Sequence, residues 1–251
     1  MRQNANVPTY PDAASLYPEV AAAGSLAGAL AAAADRRGLS LPVEVVEHSP
    51  LFGAVVPTTV PHRQALEVSA SRVERRWRVR GCEPDQDMAL IEGATADFDQ
   101  IVKAAQAWRD GESLARTAEL APFVELTGRF EVSGRDPAQT VESEWQHLLV
   151  EAAGTDWPEY RALIDAAYNQ PRLRRLYPFT SHWSLRFSTR TRPHLSREIL
   201  VCLHPGKGTY YVVTMGYTGD KLGETVTAEE AVSLAIQHFP PNLGPTTYGA
   251  V

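Results

Sequence analysis

A chain of 251 residues with 44% apolar side chains is long enough to bury a full core, as one large domain or as two of roughly 120 residues each. Its formal net charge of −6 argues against a general nucleic-acid binder, which needs a basic footprint to neutralise phosphates; a neutral or cationic small molecule, or a protein, suits it better. Cys82 and Cys202 lie far apart with no C-x-x-C spacing, so they suggest neither a disulfide framework nor a thiolate zinc site, and each reads as a small buried side chain.

The opening MRQNANVPTYPD is polar and carries two prolines, so residues 1–14 are expected to be a flexible tail. The spacing predicts a helix from about Pro18 to Arg37, stopped at Gly38. Its weakly polar part, Val20 to Ala34, is too short and too alanine-rich to span a bilayer. Asp12 and Glu19 stand where a secretory leader carries positive charge, so the protein is expected to be cytoplasmic and not membrane-bound. Three or four strands follow. In the stretch from Val73 to Arg80, Val73, Trp77 and Val79 alternate with Glu74, Arg76, Arg78 and Arg80, which puts one face in the core and leaves the arginines solvated. A strand over Asp87 to Glu92 leads to Thr95, a candidate cap for a helix whose apolar positions are Phe98, Ile101, Val102, Ala105 and Trp108. A shorter helix from Leu114 to Leu120 precedes turn-rich sequence near Gly128 and Gly134, which sets the expected boundary between an N-terminal α+β domain (15–134) and a C-terminal one (135–251).

Asp136, Pro137 and Gln139 signal a helix start, with Val141, Trp145, Leu148, Leu149 and Ala152 as its buried stripe. Asp156 and Glu159 repeat the device for a second helix that buries Tyr160, Leu163, Ile164, Ala167 and Tyr168 and must end before Pro171. Strands are expected at Trp183 to Thr189, Glu198 to His204 and Thr209 to Met215, the last two joined by the tight turn 205–208. A closing helix starts at Thr227, where Glu230 completes a T-x-x-E box. The fold class is therefore α+β, with antiparallel sheets and helices packed on one face. The two halves share an order, and ALIEGATADFDQIVKAA resembles DKLGETVTAEEAVSLAI weakly, which fits either an old duplication or chance.

The seven histidines include no H-x-H, H-x-x-x-H or H-E-x-x-H, so no metal site is written locally. There is no G-x-S-x-G, no Walker loop and no G-x-G-x-x-G after a strand, and no cofactor is implied. Gly206-Lys207-Gly208 sits between two strands and reads as a hairpin turn, not a phosphate loop.

The densest unusual segment is LYPFTSHWSLRFSTRTRP. As one strand it points Trp183, Leu185 and Phe187 one way and His182, Ser184, Arg186 and Ser188 the other. That polar row either lines a cleft, with His182 exchanging a proton and Arg186 stabilising charge on a carbonyl oxygen, or is the solvent face of an antiparallel sheet. His204 and either Tyr210 or Tyr211 lie across the hairpin and extend the row, although a strand-end histidine bonded to backbone is the plainer role. Glu144 and His147, three apart on one helix, would supply a second acid or base, or else are partly exposed polar residues. Tyr177, Trp183 and Tyr211 would form walls for a substrate. Arg172, Arg174, Arg175, Arg190, Arg192 and Arg197 would grip an acyl carrier protein or its phosphopantetheine arm, or are scattered solvation.

Through PFTSHWSLRFSTRTRP, VESEWQHLL, WPEYRALIDAAY, VCLHPGKGTYYVVT and TAEEAVSLAIQHFPPNLGPTTYG, residues 110–250 resemble an actinobacterial family of unknown-function domains often labelled natural product biosynthesis proteins. The resemblance implies a place in secondary metabolism and supplies no reaction, cofactor or catalytic residue. Two functions fit. One is a cofactor-independent tailoring enzyme, a cyclase or dehydratase that dehydrates, isomerises or cyclises a polyketide or peptide-like intermediate by acid/base chemistry. The other is a non-catalytic binding or adaptor protein for a biosynthetic enzyme, carrier protein or product.

Overall fold

The computed structural model describes residues 11–84, 88–214 and 219–249. The chain divides into two compact units, one built from residues up to Pro84 together with Ala89–Leu126, the other chiefly from Thr127 onward. Both mix helices with antiparallel sheet, as expected.

The first unit runs α1 (Ala13–Leu16), α2 (Pro18–Ala23), α3 (Leu26–Asp35), β1 (Glu44–Val45), β2 (Gly53–Val56), β3 (Leu66–Ala70), β4 (Trp77–Cys82), β5 (Ala89–Thr95), α4 (Phe98–Arg109), α5 (Leu114–Leu120) and β6 (Val124–Leu126). Its six strands form an antiparallel meander in chain order. The expected tail falls on residues 1–10, outside the described residues, and on a start of α1 that Asp12 caps. The single long helix is instead two. Gly24 turns left-handed at φ 75°, and the Ser25 hydroxyl accepts the Gly28 N–H at 2.9 Å, so the chain stops and restarts one turn later. Val73 lies outside the strand and is exposed. The Tyr17 hydroxyl takes the backbone there, 2.8 Å from the Ser71 and Glu74 carbonyls and accepting the Arg76 N–H at 3.1 Å. β4 therefore begins only at Trp77. The cap of α4 is Asp97, whose carboxylate accepts the Asp99 N–H; Thr95 instead accepts the N–H of Asp97.

Helices α3 and α4 cover one face of this sheet, where Leu30, Leu66, Trp77, Ile91 and Trp108 are fully buried. The indole of Trp108 donates to the Gln64 carbonyl at 2.9 Å, so its N–H is satisfied while its rings fill the core. A side chain at Gly81 would begin 2.6 Å from that ring, which is why the strand carries glycine at this point.

The second unit runs α6 (Pro137–Gly154), α7 (Pro158–Tyr168), α8 (Pro171–Arg174), β7 (Tyr177–Ser181), β8 (Ser184–Ser188), β9 (Arg190–Pro193), β10 (Val201–Pro205), β11 (Tyr210–Thr214), β12 (Lys221–Thr225), α9 (Ala228–Gln237) and β13 (Thr247–Gly249). Five strands form an antiparallel sheet in the order β12-β11-β10-β8-β7, while β13 pairs with β9 in parallel. Asp136 caps α6 and Thr227 caps α9, as their sequences predict. At α7 the N-cap is Trp157, without a side-chain bond. The Glu159 carboxylate accepts the Gly208 N–H at 2.7 Å instead, tying the helix start to the β10–β11 turn. Met215, the expected end of its strand, and Asp87 lie outside the described residues.

Strand pairing decides which side chains reach the core. Leu203 stands opposite Leu185 on one side and Val212 on the other, so these residues share the face covered by α7 and α9. Phe187 on the same face meets Trp145 of α6 and Phe239 beyond α9, at ring separations of 6.2 and 5.7 Å. The opposite face carries Ser184, Arg186, Cys202, His204 and Tyr211, and residues of the segment 192–200 border it at Phe179 and Arg186.

Among the described residues no helix is long and apolar enough to cross a membrane.

Candidate functional site

The predicted strand starting at Trp183 begins one residue late and is preceded by a strand the sequence reading missed. β7 and β8 form a hairpin whose two-residue turn is His182-Trp183, both left-handed at φ 52° and 64°. Paired positive φ values match the twist of the flanking strands, which is what a tight hairpin needs. His182 is consequently an exposed tip residue, its Nδ1 3.3 Å from the Ser181 hydroxyl, and it does not join a row with Arg186. Trp183 is 46% exposed and stands edge-on to Tyr160 at 5.3 Å.

The register of β8 against β10 brings other groups together. With Leu203 opposite Leu185, His204 falls opposite Ser184 and Cys202 opposite Arg186. The His204 Nδ1 lies 2.7 Å from the Ser184 hydroxyl, and its Nε2 lies 3.6 Å from the Cys202 sulfur. One imidazole is thereby held between a hydroxyl and a thiol, so that when Nδ1 carries the ring proton and donates to Ser184, Nε2 is the basic nitrogen. Burial pushes the His204 pKa down, and the Arg186 guanidinium pushes it the same way; a neutral ring at neutral pH follows. Burial raises the Cys202 thiol, and Arg186 offsets part of that shift. Cys202 is only 2% exposed, and its sulfur also approaches the Val213 carbonyl at 3.7 Å. It is a buried partner of the ring and not an accessible thiolate nucleophile.

Beside this group is a cleft of about 570 Å³ lined by Phe179, Arg186, Arg192, Pro193, Leu195, Ser196, Arg197 and Leu200. Ser188 organises its outer wall. The hydroxyl donates to the Arg190 carbonyl at 2.6 Å and accepts the N–H groups of Arg190 and Ser196, both at 2.9 Å. Thr189 adds bonds to Ser196 and to the Glu198 carboxylate, each 2.8 Å. Ser188 is therefore a brace for the loop and has no spare capacity for a ligand. Tyr177 is buried at the far end of β7, and burial drives its hydroxyl pKa well up, with the Glu144 charge adding to the rise. Tyr211 pairs with His204 in register and is half-buried, with the Lys221 ammonium 5.1 Å from its ring centroid.

Glu144 is not at this site. Its oxygens hold Arg129 at 2.7 and 3.0 Å in a two-pronged ion pair, both side chains under 10% exposed. Both oxygens of Glu144 are taken up by this buried guanidinium, away from Ser184 and His204, so it is not placed to serve there as a second acid or base. Its neighbour His147 places Nδ1 2.7 Å from the Thr127 carbonyl.

The structure thus unites Ser184, Arg186, His204 and Tyr211, sends His182 and Trp183 to a hairpin tip, buries Glu144 in its ion pair with Arg129, and sets the buried Tyr177 hydroxyl against Arg192 of the cleft. The residue that sequence reasoning missed is Cys202. Its signal was C-x-H on a strand, a spacing of two that puts both side chains on one face. Among the described residues no three His, Cys, Asp or Glu side chains converge as a metal cluster.

A family model described as a family of unknown function (DUF6193) matches residues 139–250. The cleft and the Ser184, Cys202 and His204 group all lie inside that stretch, which is accordingly an unknown-function domain. No curated protein and no solved structure matches the chain.

Proposed function

We propose that the chain is a cytoplasmic, cofactor-independent tailoring enzyme of secondary metabolism, with His204 in the role first expected of His182. It would act on a polyketide or peptide-like intermediate by dehydration, isomerisation or cyclisation. The observation that carries this reading is the half-buried imidazole bonded to Ser184 at 2.7 Å beside an arginine-bearing cleft. A neutral histidine in that setting takes a proton from a carbon next to a carbonyl, while Arg186 stabilises the enolate oxygen. In a dehydration the imidazolium then returns that proton to the departing hydroxyl, and water leaves. Ser184 orients the ring, and Cys202 holds its other nitrogen until substrate displaces the weak thiol contact. The resemblance to proteins labelled for natural product biosynthesis supports the choice of substrate class.

The test is to incubate the full chain with extract from a strain lacking its gene and follow intermediates by mass spectrometry. Conversion of one intermediate to a product of equal mass, or one lighter by a water, without added cofactor is expected. His204→Gln should abolish it while the chain stays folded, whereas His182→Ala should leave it intact. Full turnover by His204→Gln would remove the assignment.

A second reading, a non-catalytic binder of a small molecule or acyl carrier protein, draws on another pocket. About 540 Å³ in volume, it is lined by Val141, Tyr168, Pro171, Arg174, Arg175 and Pro245 among others. Retention of an intermediate or a carrier protein through gel filtration, without conversion and lost on replacing Arg175, would favour it.

A further inference from the structure

We infer that the cleft beside His204 binds an amphipathic anion, a carboxylate- or phosphate-headed molecule with an apolar body. This deepens the enzymatic reading by naming the substrate class of the same site. Arg186, Arg192 and Arg197 line the wall, Arg192 being already bonded to the Tyr177 hydroxyl, and among the described lining residues there is no carboxylate. In a chain of net charge −6 the lining of this cleft is locally basic, which favours an anion over the neutral or cationic ligand expected from the whole chain.

Arg186 is the specific element. It projects from β8 next to Phe179 of β7, its partner in register, and its Nε is buried with no hydrogen-bond partner among the described residues. A buried donor left unsatisfied costs free energy unless something accepts from it. An anion in the cleft supplies the acceptor, and a carboxylate or phosphate matches the guanidinium fork. Apart from Ser196, whose hydroxyl is taken up by Ser188 and Thr189, the remaining wall is apolar. Phe179 and Leu195 are partly buried and Leu200 is 56% exposed, an arrangement that would cover a hydrocarbon body while the head group faces the arginines. An enolate formed at His204 adds negative charge within reach of the same Arg186, so binding and catalysis would draw on one cation.

Calorimetric titration of the full chain with decanoate, decyl phosphate, decanol and inorganic phosphate tests this. Decanoate or decyl phosphate should bind at micromolar to low millimolar concentration, and which of the two is tighter identifies the head group. Decanol and inorganic phosphate should bind at least about tenfold more weakly, since each lacks one half of the recognition. Arg186→Met should weaken the anion about tenfold or more, and Leu200→Ser, a change at an exposed position that leaves folding alone, should weaken it several-fold. His204→Gln should bind as the wild type does. Equal binding of decanol and decanoate, no binding of either anion, or unchanged affinity in a folded Arg186→Met would overturn the inference. If anions fail to bind while conversion still depends on His204, this inference falls and the enzymatic reading stands; if anions bind but His204→Gln still converts, the reverse holds.

Discussion

On the face of the first sheet away from α3 and α4, β3, β4 and β5 set Glu67 opposite Arg80 and Arg80 opposite Glu92. On the face of the second sheet away from α7 and α9, Arg186 stands opposite Phe179 and His204 opposite Tyr211. In the first arrangement Arg80 stands between two glutamates, while Glu125 faces Glu92 and Arg78 faces Ser69 and Ala94; Glu67, Arg78, Glu92 and Glu125 are exposed, so water screens each charge whether or not an opposite one stands across from it. The second sets a half-buried cation, a half-buried neutral ring and a buried thiol side by side, where they act on one another. Two antiparallel sheets with helices on one face can thus differ in what their other face can do, and the difference lies in whether the polar groups stand fully in water or are partly withdrawn from it.

The sharpest way to break that contrast is to unbalance the buried polar groups of the second unit. Glu144→Gln leaves Arg129 charged and buried with half its partner gone, and should cost about 3–5 kcal/mol, read as a large fall in the urea midpoint. A loss below about 1 kcal/mol would show that the pair is solvated after all.

Ser184→Ala removes the hydroxyl that bonds the His204 ring, and should cost about 1–3 kcal/mol together with most of the turnover. Because the substituted residue is nearly isosteric, a loss of turnover much larger than the loss of stability separates orientation of the ring from simple packing.

Acid sharpens the comparison next. His204 has a folded-state pKa below its ordinary 6.5, so between that lowered value and 6.5 the unfolded chain binds more protons. Stability should therefore be fully present above 6.5 and fall as the pH drops through this window. The acid limb of kcat/KM should have its midpoint below 6.5, and Arg186→Met should move it upward by removing the guanidinium's contribution. A histidine proton signal titrating at or above 6.5 and assigned to His204 would contradict both statements. The smallest effect belongs to the first unit, where Glu92→Gln on the solvated face should change stability by less than about 0.5 kcal/mol.

Periodicity and caps made most of the fold legible. Asp136-Pro137 and the T-x-x-E box at Thr227 start helices where expected, and the turn at 205–208 joins β10 to β11. The misplacements share a cause, which is that a distant partner overrode a local signal. Tyr17 held the backbone near Val73 from far along the chain, and Glu159 spent its carboxylate on Gly208 and not on its own helix. β7 was missed because Pro178 interrupts it, and a proline in a short run argues against a strand; here β7 is an edge strand, where a missing donor is tolerated. The site was half legible. Alternation placed Ser184 and Arg186 on one face correctly, but reading through 182 and 183 as continuous strand carried His182 along with them. Two consecutive left-handed residues without glycine or asparagine give no compositional warning. The meeting of His204 with Ser184 depends on inter-strand register, which spacing along one strand does not contain.

The hairpin tip has one more consequence. Trp183 stands edge-on to Tyr160 at 5.3 Å and to Trp157 at 6.1 Å, so three chromophores from the start of α7 and the turn of β7–β8 are electronically coupled. Such coupling gives this corner its own near-ultraviolet circular dichroism band and makes the emission of a half-exposed indole sensitive to the gap between helix and turn. Fraying of the hairpin would be visible there as a loss of band intensity and a red shift, before the buried Trp145 reports any change. The molecule carries, in effect, a built-in gauge for the end of the sheet nearest Ser184 and His204.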